Sequence, residues 1–271
     1  MKKYIGKLVV LALSSMLVLS ACGLIGGDTP ASAEWQMPDR LVMGTSAGFF
    51  PFEFIAREGE AIIDRYAGVD ISLVYRIGQE LGVEIEILDM EFTGLIMALQ
   101  TREVDFVAAA MTIRPDRAEM VNFSIPYFTA GQFVIVRTDS GAHSVADLAG
   151  QLVGVQLGTT GDLAISEANV NFADILRFNQ PAHAIPDLLS GSLDAIVIDA
   201  SVARAFQTIH SDHLRIFPDT DFFGAEQYGM AFHLQDLELL AAFNEVLERL
   251  IAEGYVEYLY AWYNAEFSPA D

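Results

Sequence analysis

Val104-Asp105-Phe106-Val107-Ala108-Ala109-Ala110-Met111-Thr112-Ile113-Arg114-Pro115-Asp116-Arg117 is the stretch on which the fold turns. From Val104 to Ala109 it is apolar and short, which suits a strand covered on both faces in a parallel α/β sheet. It then delivers Pro115 and Arg117 just past the carboxyl end of that strand, where open α/β sheets place their ligands. Back toward the amino terminus, Leu95, Ile96 and Leu99 mark a helix, and Val83, Ile85 and Ile87 alternate as a strand. Before them Ile71, Val74, Ile77 and Leu81 share one helical face, opened at Asp70 and closed by Gly82. Leu41 to Thr45 reads as the first strand, and the aromatic turn Phe49-Phe50-Pro51-Phe52-Glu53-Phe54 follows it. The order is βαβαβ.

In the other direction the pattern starts afresh after Gly131. Phe133 to Val136 reads as a strand, Ser144 with Asp147 opens a short capped helix, and Leu152 to Val155 is a strand halted by Gly158-Thr159-Thr160-Gly161. A helix follows, then another over Ile185 to Leu189, before the buried strand Ala195 to Ile198 ends in Asp199. Tyr228-Gly229-Met230-Ala231-Phe232 is expected as one strand. Leu237, Leu240, Phe243, Val246, Leu247 and Leu250 then form one face of a long helix stopped by Gly254, and Tyr255 to Tyr263 a last one, in which Trp262 packs into the core. One α/β lobe, a second, and a return segment are implied, each lobe a mixed, mostly parallel sheet flanked by helices.

The first residues carry an address. Lys2, Lys3 and Lys7 precede an apolar run from Leu8 to Leu19 that is too short for an ordinary membrane span, so residues 1–21 read as a signal peptide. Leu19-Ser20-Ala21-Cys22 resembles the lipobox of bacterial lipoproteins, which makes Cys22, the single cysteine, the expected lipid-bearing residue. Residues 22–37, rich in glycine and small residues, read as a flexible tether. With the three lysines removed, 12 arginines face 37 aspartates and glutamates, a difference of −25. Such a surface repels nucleic acid and anionic lipid.

Three features carry chemistry. Pro115 suits the first position of a short helix, which puts Arg117 in its first turn, where a guanidinium can grip a carboxylate with two parallel hydrogen bonds; it can equally pair with Asp116 or Glu119 at the surface. Asp199 emerges from a buried strand and is suited to hold an ammonium group and to cap the next helix through the amides of Ser201 and Val202, two roles that are compatible. Gly158-Thr159-Thr160-Gly161 offers amides and hydroxyls to a small carboxylate, or is simply a capped turn, and it lacks the lysine of a nucleotide-binding loop.

Taken in order, the aromatic turn, Gly68-Val69-Asp70, Val104 through Arg117, Phe123-Ser124-Ile125-Pro126-Tyr127, Leu157 through Thr160, Asp194 through Asp199 and Tyr228 through Phe232 resemble the polar amino-acid family of ABC-transporter solute-binding proteins over nearly the whole chain. The resemblance implies a two-lobed periplasmic-binding-protein type II fold. Lobe 1 would span 38–129 and 226–271, lobe 2 would span 130–225, and two crossover strands would join them, with hinges at Tyr127, Gly131, Glu226 and Met230. It implies a free amino acid held between the lobes. Arg117 would take the α-carboxylate with help from Thr112 and the amide of Thr159 or Thr160; Asp199 and the Ala110 carbonyl would take the α-ammonium. Phe49 would pack on the ligand side chain, and Ser46, Val69 and Gln156 would complete the shell. The implied partners are a permease and an ATPase, with a lipid anchor, no cofactor and a monomeric chain. Ala110, Arg114, Ser46 and Val69 depart from the family's usual residues. Without an acid at Ser46 a cationic ligand is disfavoured, unless Glu53 or Glu226 compensates.

Two catalytic readings compete with binding. Gly44-Thr45-Ser46-Ala47-Gly48 matches a nucleophile-elbow string, but Phe49-Phe50-Pro51 forbids the helix that an elbow needs after its serine. Exported cyclohexadienyl dehydratases resemble these binding proteins, and such an enzyme would need a general acid, for which Glu226 and Glu53 are the nominal candidates. His210 and His213 flank a polar turn and read as a solvated loop, not as metal ligands.

Overall fold

The computed structural model describes residues 35–57 and 59–267. The signal peptide, Cys22 and the tether up to residue 34 lie outside the described residues. Along the chain run β1 (Arg40–Thr45), β2 (Phe54–Ile55), β3 (Tyr66–Ala67), α1 (Val69–Leu81), β4 (Glu84–Asp89), α2 (Leu95–Gln100), β5 (Phe106–Val107), α3 (Pro115–Ala118), β6 (Asn122–Phe123) and β7 (Phe128–Ala130). There follow β8 (Gln132–Arg137), β9 (Leu152–Gln156), α4 (Thr160–Ser166), β10 (Asp174–Phe178), α5 (Ile185–Ser190), β11 (Ala195–Asp199), α6 (Ala200–Ile209), β12 (Leu214–Pro218), β13 (Glu226–Tyr228), β14 (Ala231–Phe232), α7 (Leu237–Ala252) and α8 (Tyr255–Glu266).

Two five-stranded sheets result, ordered β4-β1-β5-β14-β6 and β10-β9-β11-β8-β12. In each, four of the five strands run the same way and one, β14 or β8, runs against both its neighbours, so the sheets are mixed and mostly parallel. The reversed strands are the ones by which the chain passes between the sheets: it leaves the first at β6, enters the second at β8, and comes back through β14 between β5 and β6. The two crossings, β7 and β13, pair side by side with Phe128 opposite Tyr228. Phe52 of the aromatic turn packs edge-on against both Phe128 and Tyr228, at 4.9 and 5.2 Å, contacts worth about 0.5–1.5 kcal/mol each beyond their burial.

Local signals explain most element ends. Gly82 closes α1 in the left-handed conformation, and Ser144 and Asp147 form a reciprocal capping box over a 3₁₀ turn at Val145–Leu148. Three expectations need correction. The run from Val104 to Ala109 is a strand only over Phe106–Val107, because β14 on its far side offers only two residues to pair with. The single strand expected from Tyr228 to Phe232 is broken at Gly229 and Met230. There the chain changes partner, from β7 to β5 and β6, and a Cβ on Gly229 would lie 2.9 Å from Ile113. On α7 it is Leu239, not Leu237, that enters the core. Tyr263 is fully buried and Trp262 packs partly buried against the same core.

Candidate functional site

The carboxyl ends of the parallel pairs β1 and β5 of the first sheet, and β9 and β11 of the second, converge on one cavity. Ser46, Ala110 and Thr112 come from the first pair, and Gln156, Thr159 and Asp199 from the second. Phe49, Thr160 and Arg117 also line it. Val69 does not: it is the first residue of α1, its amide donates to the Pro51 carbonyl at 2.9 Å, and its side chain is in the core.

Arg117 is 4% exposed. Pro115 starts α3 as expected, but the surface pairing with Asp116 or Glu119 does not form. Asp116 instead takes two hydrogen bonds from Arg114, at 3.0 and 2.6 Å, which together with that arginine's charge hold its carboxyl down at about 2. Arg117 donates from Nη1 to the Thr112 carbonyl at 2.9 Å and from Nη2 to the Gly158 carbonyl at 3.1 Å, and its guanidinium lies 5.2 Å from the centre of the Phe92 ring. Burial, then repulsion from Arg114, lowers its pKa to about 10, so it stays cationic at neutral pH. No carboxylate among the described residues lies within ion-pair distance of it. Of the five N–H groups of a guanidinium, three remain for a ligand.

Asp199 is 6% exposed at the end of β11. Its side chain makes no capping bond to α6; it accepts from the Tyr228 hydroxyl and, at 3.1 Å, from Nε2 of Gln132. Burial, with the nearby charge of Glu226, lifts its pKa to about 7 against those hydrogen bonds. Gln132 also donates to Glu226 at 3.1 Å, whose other oxygen accepts from the Thr112 hydroxyl at 2.9 Å. The Thr112 hydroxyl proton is therefore engaged. So are the amide and hydroxyl of Thr159, which both donate to the Gln156 carbonyl while the hydroxyl caps α4 at the Asp162 amide. Of the three threonines expected at the site, Thr160 keeps its hydroxyl without a partner in the protein.

Buried polar atoms without partners are rare in folded proteins. Here Ser46 Oγ, Glu53 Oε2, Gln156 Oε1 and Thr160 Oγ1 all lack one within the protein and all belong to residues on this cavity. From sequence Glu53 is a compensating acid or a nominal general acid, and not an expected member of the ligand shell. It is 1% exposed, and burial, followed by the charges of Asp70, Asp199 and Asp89, drives its pKa well above the usual carboxylate range. The signal was an acid embedded in an aromatic run; the amides of Gly48 and Phe49 bond back to the Glu53 carbonyl, folding that run over the cavity. The remaining expected hinge residues lie at the crossings: Tyr127 precedes β7, Gly131 follows it, and Met230 enters the first sheet with its amide and carbonyl both bonded to Ser124. No group of three or more His, Cys, Asp or Glu among the described residues is arranged to hold a metal ion, and none of their helices is long and apolar enough to cross a membrane.

Two mixed α/β sheets joined by paired crossings, with strand ends from both converging on one cavity, define a type II periplasmic binding protein. The model of the bacterial extracellular solute-binding proteins, family 3, matches residues 41–266, and the chain belongs to that family of ABC-transporter components. It is similar to the arginine-binding extracellular protein ArtP of Bacillus subtilis, 32% identical over 270 residues that cover 98% of this chain and all of that one. A probable histidine-binding protein of Neisseria gonorrhoeae is also 32% identical, over 98% of this chain and 97% of its own. Among solved structures, holo ArgBP from T. maritima superposes with a TM-score of 0.72 at 38% identity, covering 83% of this chain and 96% of that one.

Proposed function

We propose that the chain captures a free cationic amino acid of the arginine type between its two lobes and presents it to the permease of an ABC importer. One observation carries the reading: a buried, cationic Arg117 without a carboxylate partner shares a cavity with Asp199 and with the unpartnered oxygen of Glu53. The ligand α-carboxylate sits on the free N–H groups of Arg117, and its α-ammonium on Asp199 and the Ala110 carbonyl. A cationic side chain sits on Glu53. Charge then balances: one guanidinium and two carboxylates meet one carboxylate and two cations. A neutral ligand leaves Glu53 uncompensated, and an acidic one adds repulsion. The absence of an acid at Ser46 is met by Glu53 and not by Glu226, whose two oxygens are already occupied by Thr112 and Gln132. The names of the Bacillus and T. maritima relatives, both arginine-binding, support the same class.

Capture works as a clamp. Lobe 1 (38–129 with 226–271) and lobe 2 (130–225) close about the β7–β13 ribbon, because only the closed state lets Arg117 and Asp199 reach one ligand together. The chain acts as a monomer, tethered through lipid on Cys22, which radiolabelled palmitate and a Cys22→Ser control test directly. The binding claim itself is tested by calorimetry with L-arginine. Arg117→Ala and Asp199→Ala each weaken binding by at least about tenfold, or 1.4 kcal/mol, and near-unchanged affinity in both contradicts the assignment.

A second reading has one observation in its favour: Glu53 on the cavity, and Glu226 behind the lining residue Thr112, both have raised pKa values, as a general acid requires. Incubation with prephenate or arogenate separates the two, since a dehydratase releases an ultraviolet-absorbing product and a binding protein does not.

A further inference from the structure

Asp70 is wholly buried and has no role in the capture described above. It is the second residue of the thirteen-residue helix α1, whose positive end favours its charge. Oδ2 accepts the Ala110 amide at 2.8 Å, and both oxygens lie 2.8 Å from the Tyr127 hydroxyl. No arginine is paired with it among the described residues.

Its partner is unusual. Ala110 has φ +45°, a left-handed conformation that costs an alanine more than a glycine, and it does so on the cavity wall. The chain must turn there, because Ala108 is still bonded to β1 through the Gly44 carbonyl while Thr112 already bridges to Tyr228. The start of α1 is itself fixed against the aromatic turn. The amides of Val69 and Asp70 donate to the carbonyls of Pro51 and Phe52 at 2.9 and 3.0 Å, an approach possible because position 68 is glycine: a Cβ there would stand 2.1 Å from the Phe52 carbonyl oxygen. Asp70 thus carries the position of the aromatic turn and α1 onto the Ala110 peptide.

We infer that Asp70 is a positioning residue: it pins Ala110 in the left-handed conformation, so that the Ala110 peptide presents its carbonyl to the ligand ammonium. The inference rests on the capture reading above. Without the Asp70 bond, Ala110 relaxes toward negative φ and its carbonyl turns away, whereas a glycine would populate both conformations.

The test is a double-mutant cycle in the full chain, read by calorimetry with L-arginine. Asp70→Ala, which removes the acceptor, weakens binding at least tenfold, and the same change made in an Ala110→Gly background costs at least threefold less. A merely structural loss gives no such relief, because glycine adds backbone freedom and rescues no packing. Equal losses in the two backgrounds, or Asp70→Ala within twofold of wild type, overturn the inference. Amide exchange of Ala110 in the wild-type chain provides a reading that needs no variant: protection is expected, and exchange at the rate of a free loop overturns the inference even if Asp70→Ala does not fold. Absence of arginine binding by the wild type counts against the ligand class and not against the pinning of Ala110, which amide exchange still reads.

Discussion

Replacing Glu53 by glutamine isolates the claim that this cavity selects a cationic side chain. The change keeps the shape and removes only the charge of a side chain that is 1% exposed and has one oxygen without a partner. A hydrogen bond to an ionised group contributes about 1.5–3 kcal/mol. The lower half of that range applies, because part of the gain is spent against burial and the charges of Asp70, Asp199 and Asp89, which disfavour the ionised form of this acid. About 2 kcal/mol corresponds to about 30-fold in affinity. Calorimetry at neutral pH should therefore show L-arginine binding falling about 30-fold in Glu53→Gln, with L-glutamine changing by less than about threefold. The preference between the two ligands is the decisive quantity, since general damage lowers both alike. An arginine affinity within about threefold of wild type, or equal losses for both ligands, refutes the assignment of Glu53.

Two further outcomes follow from the same geometry. Asp70 and Asp199 are raised to about 7 in the folded chain, against about 4 when unfolded, so the folded state holds more protons between those values. Stability of the ligand-free chain, followed by thermal melting, therefore falls as pH rises from about 4 to about 7, while arginine affinity, which needs ionised Asp199, rises over the upper part of that window; affinity that is flat from about pH 5 to about pH 8 contradicts this. Gly158 has φ +75°, and a Cβ there would meet Thr93 Cγ2 at 2.8 Å. Gly158→Ala should weaken binding several-fold without altering a ligand-facing side chain, and adding Thr93→Ser, which deletes that methyl, should recover part of the loss; no recovery means that closure is not obstructed at this point.

Periodicity and turn residues made much of this molecule legible in advance. The face of Ile71, Val74 and Ile77, the cap at Ser144 and the proline before Arg117 each follow from a local rule that tertiary packing had no reason to override. What could not be read was partner choice. Arg114, not Arg117, takes Asp116, because a helix of four residues leaves Arg117 aimed inward while Arg114 precedes the turn at the surface. Asp199 sits at the start of a helix yet spends its oxygens on Tyr228 and Gln132, which arrive from 29 and 67 residues away. The family resemblance puts Val69 in the ligand shell, and the tight approach of α1 to the aromatic turn carries it into the core. Glu53 could be named but not placed: an acid between two phenylalanines signals either an exposed edge or a costly burial, and only the fold decides which.

The central claim is that one small zwitterion spans Arg117 and Asp199, and a crystal structure of the chain grown with L-arginine tests it most directly. The account predicts the ligand carboxylate on the Arg117 guanidinium and the α-ammonium on Asp199, each at about 2.7–3.2 Å, with the ligand guanidinium at Glu53. Arginine bound elsewhere, or seated in this cavity with neither of those two contacts, contradicts it.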